Sequence, residues 1–222
     1  MGTAIVLLGT IAAGLAGTSA LYRVFQNFQP GKQKITRDYN EMQAELRPLQ
    51  DELVPVKSEE LELLSSNQIN KSRKKRVTIK SRGVFISIYQ EPMIAWAMRK
   101  YLGSEQNALI LARTARYEFL LRVRSKQTEI SVNGKIGLIH LPDGRLFDGK
   151  GKKMLGFIRK TSDTDPRRTI YVGDRELAAL QLLPETSSPQ PRIFNFVQDE
   201  MTEEEKILLL AMSISYLTQH LA

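Results

Sequence analysis

The chain has 222 residues, of which 42% are hydrophobic and 25% are charged. This ordinary globular composition excludes wholesale disorder, a collagen-like repeat and a membrane protein with many spans. Cysteine is absent and only two histidines occur, which excludes disulfides, cysteine-bound zinc, iron–sulfur clusters, thiol nucleophiles and histidine-rich metal sites. The formal net charge of +8 favours an acidic partner.

Residues 3–22 contain no charged side chain and are mostly Ile, Val, Leu, Ala and Gly. Twenty helical residues reach about 30 Å, the thickness of the hydrocarbon core of a bilayer, so residues 1–25 are predicted to form a transmembrane anchor. A cleaved signal peptide is the alternative, but no basic side chain precedes the apolar run. The basic residues follow it, which predicts a single-pass membrane protein with its N-terminus outside and its C-terminal domain cytoplasmic.

Within the predicted anchor, three small residues recur every four positions. Gly9, Ala13 and Gly17 therefore fall on one stripe of the helix, where a second helix can approach closely. This spacing indicates helix packing in the membrane, either in a homo-oligomer or in a membrane protein complex. Because Gly and Ala are common in membrane helices in general, a stripe without a partner is the alternative.

Residues 26–70 are predicted to form an acidic helical linker. Residues 38–70 hold eight acidic and two basic side chains, a net charge of −6. Pro48 and Pro55 interrupt the apolar pattern, so a kinked helix or a helix pair is expected instead of a long coil. The alternatives are a short oligomerisation stalk and a linker that packs against the domain or another subunit. Apolar residues follow the alternating three-and-four spacing of a coiled-coil seam at Tyr39, Met42, Leu46, Leu49 and Leu53.

The remaining chain, residues 71–222, carries its positive charge at one end. Residues 71–126 hold fourteen basic and three acidic side chains, a net charge of +11, whereas residues 127–222 have a net charge of −1. A basic cluster near a membrane gains about 1 kcal/mol per Lys or Arg from anionic headgroups. An acidic protein surface and a solvated loop are the alternatives, and the lack of aromatic residues in the run disfavours a nucleic acid. The predicted lipid-binding residues are Lys71, Arg73, Lys74, Lys75, Arg76, Lys80 and Arg82.

From residue 77 onward, short strand-like runs alternate with turn signals. The Asn133-Gly134 pair favours a hairpin, because both central residues of a type I′ turn need positive φ. Residues 92–102 begin with Pro92 and end before Gly103, which predicts one helix. Such a series of strands without crossover helices predicts a mainly β fold, an antiparallel barrel or sandwich. The nine predicted strands are residues 77–89, 108–113, 117–124, 129–132, 135–141, 153–160, 168–172, 176–182 and 192–197.

The last twenty residues predict a helix. Thr202 and Glu205 have the spacing of a capping box, which marks a helix start. Residues 207–217 are then apolar nearly all round, yet they are too few to span a bilayer. A helix without a polar face is surrounded by protein, so burial inside the β structure is predicted. The alternative is a helix that docks on a partner or dimerises.

Two segments of the C-terminal region resemble a known family. Residues 144–148 read GRLFD and residues 153–159 read KMLGFIR, and a strand around Phe194 leads into the apolar terminal helix. This arrangement resembles the tubby C-terminal-like superfamily, which includes phospholipid scramblases and plant LURP-one-related proteins. The resemblance covers about residues 77–222. It implies a β-barrel, usually of twelve strands, threaded by a hydrophobic C-terminal helix, and binding to anionic lipid or phosphoinositide headgroups or a protein-interaction role.

Two functions are therefore expected. The first is a membrane-anchored, non-catalytic module whose domain binds anionic lipid headgroups. The second is a structural or assembly subunit that holds a membrane protein complex together. The sequence shows no grouping of nucleophile, base and metal ligands, so neither catalysis, nor a cofactor, nor a metal site is expected. His140, in an apolar run, is predicted to be structural.

Overall fold

The computed structural model describes residues 30–75, 78–101, 107–160, 167–181 and 192–220. One antiparallel sheet of twelve strands dominates these residues, and each strand pairs with the next in sequence. Three helices accompany it: α1 (Lys32–Gln50), α2 (Ser58–Leu61) and α3 (Glu203–His220). The strands are β1 (Leu64–Lys75), β2 (Thr78–Ser87), β3 (Pro92–Tyr101), β4 (Asn107–Arg113), β5 (Glu118–Arg124), β6 (Thr128–Val132), β7 (Ile136–His140), β8 (Arg145–Asp148), β9 (Met154–Lys160), β10 (Arg167–Val172), β11 (Arg175–Gln181) and β12 (Phe194–Val197).

The two edges of the sheet meet beside β12. Ser65 of β1 forms an antiparallel bridge with Arg192, and the N–H of Ile193 donates to the carbonyl oxygen of Leu64 at 2.8 Å. These contacts join the start of β1 to the segment before β12, so the sheet is nearly closed. The prediction of a mainly β, antiparallel, barrel-like fold with a C-terminal helix is therefore confirmed.

The helix predicted at residues 92–102 was wrong, because this segment forms β3. Its inward residues, among them Trp96 and Met98, join the core inside the sheet, while Ala95 and Ala97 are buried on the opposite face. A strand buried on both faces loses the alternation of apolar and polar residues that marks a half-exposed strand. An uninterrupted apolar run does not by itself distinguish such a strand from a buried helix.

Together with β3, two further strands raise the count from the nine predicted to twelve. Strand β1 begins at Leu64, within the range expected for the linker, and continues through polar and basic residues that give no strand pattern. Strand β8 lies in the GRLFD segment. The predicted turn between β6 and β7 is confirmed, because Asn133 and Gly134 have φ of 50° and 67°.

Helix α3 packs against the inner face of the sheet. Its apolar residues, from Leu208 to Leu217, share one core with inward side chains of the strands, and Leu209, Met212 and Ile214 are fully buried. The capping box is present: Glu205 N–H donates to Thr202 Oγ1 at 3.2 Å, and Thr202 N–H donates to the Glu205 carboxylate at 2.8 Å. The prediction that this apolar helix is buried within the β structure is confirmed.

A buried polar contact joins α3 to β7. His140 Nδ1 lies 2.9 Å from Ser215 Oγ, and both residues are buried. Burial disfavours the charged imidazolium and lowers the pKa of His140 from 6.5 to about 4. The side chain therefore stays neutral at pH 7 in the folded chain.

The predicted anchor and its stripe of Gly9, Ala13 and Gly17 lie outside the described residues. Within the described ranges, no helix is both long enough and apolar enough to cross a membrane.

The buried His140 predicts a specific pH dependence of folding. Because the pKa of His140 is lower in the folded chain, the unfolded chain binds one more proton between pH 6.5 and about 4. The contribution of His140 to the free energy of unfolding is therefore fully present above pH 6.5. It is lost as the pH falls toward 4, by up to about 3 kcal/mol. We expect His140→Gln, which keeps a polar group beside Ser215, to reduce this slope when unfolding free energies are measured by urea denaturation across the interval. Equal slopes in both chains would contradict the assignment.

The turn before β8 predicts a glycine requirement. Gly144 has φ of +91°, and a Cβ atom there would lie 2.6 Å from the carbonyl oxygen of Ile158. We expect Gly144→Ala to lower the free energy of unfolding by about 3 kcal/mol or more, from backbone strain and overpacking together. Gly173 is the matched control, because it has φ of +57° with no atom within 4 Å. Gly173→Ala is expected to lower the free energy of unfolding by about 1 kcal/mol. Equal losses of stability in the two variants would refute the steric argument for Gly144.

Candidate anion-binding face

Helix α1 lies on the outer face of β3 and β4. Met42 and Leu46 are fully buried there, in a second core that includes Ala95, Ala97 and Leu111. The small alanine side chains leave room for the helix backbone to approach the sheet. The seam of apolar residues in the linker thus packs against the domain, which is one of the two arrangements expected from the sequence.

One side of α1 carries an acidic stripe. Asp38, Glu41 and Glu45 are spaced by three and four residues, which places their side chains on one line along the helix. This line faces β2 and β3. Tyr101 Oη donates to Asp38 at 2.7 Å. Lys80 Nζ donates to Glu41 at 2.5 Å, and Arg99 Nη2 donates to Glu45 at 2.6 Å.

The most deeply buried of these contacts is that of Asp38. Its side chain is 3% exposed and accepts hydrogen bonds from Tyr101 Oη and Lys34 Nζ, both at 2.7 Å. Burial raises the pKa of the Tyr101 hydroxyl far above its ordinary value, and the hydrogen bond to Asp38 raises it further. Tyr101 therefore remains a hydrogen-bond donor at any physiological pH and holds α1 against β3.

The outer surface of β1, β2 and β3 brings five basic residues together, and we call it the basic face. In antiparallel pairs, directly opposite residues point to the same side of the sheet. The register aligns Arg73 with Lys80 and Lys80 with Arg99, so these three form one row across the strands. A second row aligns Lys71 with Arg82. The basic face thus consists of Lys71, Arg73, Lys80, Arg82 and Arg99.

Arg99 is the buried member of the basic face, with none of its side chain exposed. Nη2 donates to Glu45, and Nη1 donates to the carbonyl oxygen of Met98 at 3.1 Å. Among the described residues, Nε has no hydrogen-bond partner. A guanidinium carries five N–H donors, so Arg99 retains donor capacity that its neighbours do not fill.

The acidic stripe neutralises only part of the basic face. Glu45 pairs with Arg99, and Glu41 pairs with Lys80, whose hydrogen bond lowers the pKa of the Glu41 carboxyl. The other three basic residues are exposed and form no ion pair with a described side chain: Lys71, Arg73 and Arg82. Five cations against two carboxylates leave a net charge of +3 on this small area.

A cavity of about 350 Å³ opens on the basic face, and all five of its basic residues line it together with Glu45, Ser72 and Ser81. A second cavity of about 240 Å³ adjoins it and shares Glu45, Lys71 and Arg82. Its remaining lining is mostly apolar and consists of Pro48, Leu49, Gly83 and Val84. The two cavities form a groove between α1 and the sheet that is cationic at one end and apolar at the other.

The structure brings together four of the seven residues predicted to bind lipid: Lys71, Arg73, Lys80 and Arg82. Lys74 and Lys75 belong to β1, but their side chains, like the whole of Arg76, lie outside what the structure describes. Arg99 was not among the predicted residues, because an isolated arginine in an apolar segment carries no motif. Its spacing from Lys80 becomes meaningful only once β2 and β3 are known to pair. In the described ranges, no group of three His, Asp or Glu side chains is arranged to hold a metal ion.

No family model, curated protein or solved structure matches the chain. The resemblance to the tubby C-terminal-like superfamily therefore rests on the hairpin residues and the terminal helix described above. The geometry of the basic face does not depend on that resemblance, since it follows from strand register and side-chain contacts.

The contact of Tyr101 with Asp38 predicts how α1 is held. Removing the hydroxyl in Tyr101→Phe leaves the buried Asp38 carboxylate with Lys34 as its donor, which is expected to cost about 1–3 kcal/mol of unfolding free energy. Tyr39, a half-buried residue of α1 that donates to Glu118 at 2.8 Å, is the matched control. Tyr39→Phe is expected to cost less, by urea denaturation at neutral pH. A larger loss for Tyr39→Phe would show that the other flank of α1 secures the helix.

Proposed function

We propose that this protein is a membrane-anchored, non-catalytic module whose basic face binds anionic lipid headgroups. The predicted anchor, residues 3–22, would hold the domain beside a bilayer with its N-terminus outside and the domain on the cytoplasmic side. A tethered basic surface meets anionic headgroups at high local concentration, which favours binding even where each contact is weak.

The observation that carries this proposal is the alignment of five cations on the outer face of three neighbouring strands. Three of them, Lys71, Arg73 and Arg82, are exposed and lack an ion pair with any described side chain. Unpaired like charges on adjacent strands repel each other, so an anion that binds between them relieves the repulsion. Arginine is suited to this task, because its planar guanidinium donates in pairs to phosphate oxygens.

The groove supports a lipid over a small free anion. Its cationic end offers Arg73, Arg82 and Lys71 to a phosphate or carboxylate, while its apolar end offers Leu49 and Val84. A headgroup with the first part of its acyl chains is amphipathic in the same way. The resemblance to a superfamily with lipid-binding members points in the same direction, as does the twelve-stranded sheet around an apolar terminal helix.

The test is a binding titration with the full-length chain in non-ionic detergent. Fluorescently labelled short-chain phosphatidylserine is compared with the same probe of phosphatidylcholine by fluorescence anisotropy, so that the anchor contributes equally in all samples. We expect a preference for phosphatidylserine that weakens as salt is added. Arg73→Gln combined with Arg82→Gln removes two exposed cations and is expected to weaken binding by about thirtyfold, from about 1 kcal/mol per basic group.

The matched control removes two exposed cations elsewhere, at Lys135 and Lys152 in the turns after β6 and β8. The variant in which both lysines are changed to Gln has the same net charge as the variant in which Arg73 and Arg82 are changed to Gln. We expect its affinity for phosphatidylserine to stay within about twofold of the wild type. Equal weakening by both pairs would show that net charge, and not the basic face, attracts the lipid. Equal binding of both lipids by every variant would refute the proposal and favour the assembly role.

A further inference from the structure

The carboxylates of α1 occupy the basic face as the anionic group of a ligand would. Glu45 lies 2.6 Å from Arg99 Nη2, and Glu41 lies 2.5 Å from Lys80 Nζ. Arg99 and Lys80 are the two members of the face that stand directly opposite each other on β2 and β3. The other three cations of the face form no ion pair with a described side chain and lie on β1 and β2, where they line the same groove.

Building on the proposed function, we infer that Glu41 and Glu45 form an internal competitor that a phosphate-bearing ligand displaces from Lys80 and Arg99. The ligand first meets the exposed Arg73 and Arg82, and its phosphate then replaces the Glu45 carboxylate at the Arg99 guanidinium. Helix α1 thus restricts the basic face to ligands whose anionic group competes successfully with two tethered carboxylates.

The exposures of the residues permit this exchange. The side chains of Glu41 and Glu45 are 41% and 31% exposed, so both carboxylates can rotate into water while the apolar seam of α1 stays in place. Arg99 is fully buried and cannot follow them. A buried guanidinium without a counterion costs several kcal/mol, so Glu45 leaves only when another anion takes its place.

The unfilled donor on Arg99 gives a phosphate an advantage over a carboxylate. Glu45 accepts from Nη2 alone, and Nε, which has no partner among the described residues, lies on the same guanidinium edge as one of the terminal nitrogens. A phosphate carries more acceptor oxygens and a greater charge than a carboxylate and so fills both donors. When phosphate displaces Glu45, Arg99 exchanges one hydrogen bond for two. The second hydrogen bond compensates for the advantage that Glu45 has as part of the same chain.

The test uses the same full-length chain and anisotropy titration, with substitutions in α1. Glu45→Asp keeps the charge but shortens the side chain, so that the carboxylate no longer reaches Arg99. We expect it to strengthen phosphatidylserine binding by about tenfold, and Glu41→Gln to strengthen it by about twofold to fivefold. Glu52→Gln is the control for a change in net charge, because Glu52 is an exposed acid just beyond α1, outside the groove lining. It is expected to leave the affinity within about twofold.

A second measurement separates lipid from free phosphate and does not depend on the lipid probe. Inorganic phosphate is expected to raise the thermal unfolding temperature of Glu45→Gln more than that of the wild type, because it supplies the missing counterion to Arg99. Sodium chloride at equal ionic strength controls for screening. If phosphate stabilises the variant but no variant prefers phosphatidylserine, the ligand is a free phosphate and not a lipid.

The outcomes distinguish this inference from the proposed function. If the wild type prefers phosphatidylserine while Glu45→Asp and Glu41→Gln bind as the wild type does, the competitor inference is wrong and the lipid-binding proposal stands. A preference that emerges only in the α1 variants supports the inference and identifies the wild type as self-inhibited. Equal binding of both lipids by all chains, without stabilisation by phosphate, overturns both.

Discussion

The burial of β3 on both of its faces connects the two hydrophobic cores of this structure. Its inward residues Trp96 and Met98 belong to the core that encloses α3, and its outward residues Ala95 and Ala97 form the seat of α1. A strand buried on both faces transmits any displacement of one helix to the packing of the other, because protein interiors are close-packed. Arg99 lies on this strand, two residues beyond the alanine seat, so its position is determined by both cores.

The docking of α1 also determines what the basic strands present to solvent. The linker is strongly acidic and the strands that follow are strongly basic, and the fold places the two in contact along Asp38, Glu41 and Glu45. Part of the positive charge of the strands is thus neutralised by ion pairs with α1. The three exposed cations that form no ion pair with a described side chain lie on β1 and β2, so the positive charge that is available to a ligand is concentrated along the groove.

Much of the fold was accessible from patterns in the chain, and the failures share one cause. Strands such as β5, in which buried positions alternate with partly exposed ones, gave a clear period of two. The Asn133-Gly134 turn and the Thr202 capping box are local and were correctly predicted. Strand β1 was missed because it has too few apolar residues to show a strand pattern, and β3 was missed because its apolar residues are continuous and do not alternate. In both, the neighbours across the sheet decide the conformation, and a local pattern does not contain them.

The candidate site divides in the same way. The sequence by itself determined that positive charge is concentrated after residue 70, that an acidic helix precedes it, and that an apolar helix ends the chain, because composition and periodicity are properties of neighbouring residues. Only the tertiary structure decided which cations stand together and which are already paired. Arg99 is distant from Arg73 and Glu45 in sequence; strand register aligns it with Arg73 across β2, and the docking of α1 brings it into contact with Glu45. Long-range pairing is selected by the packing of the whole core, so no local segment of the chain specifies it.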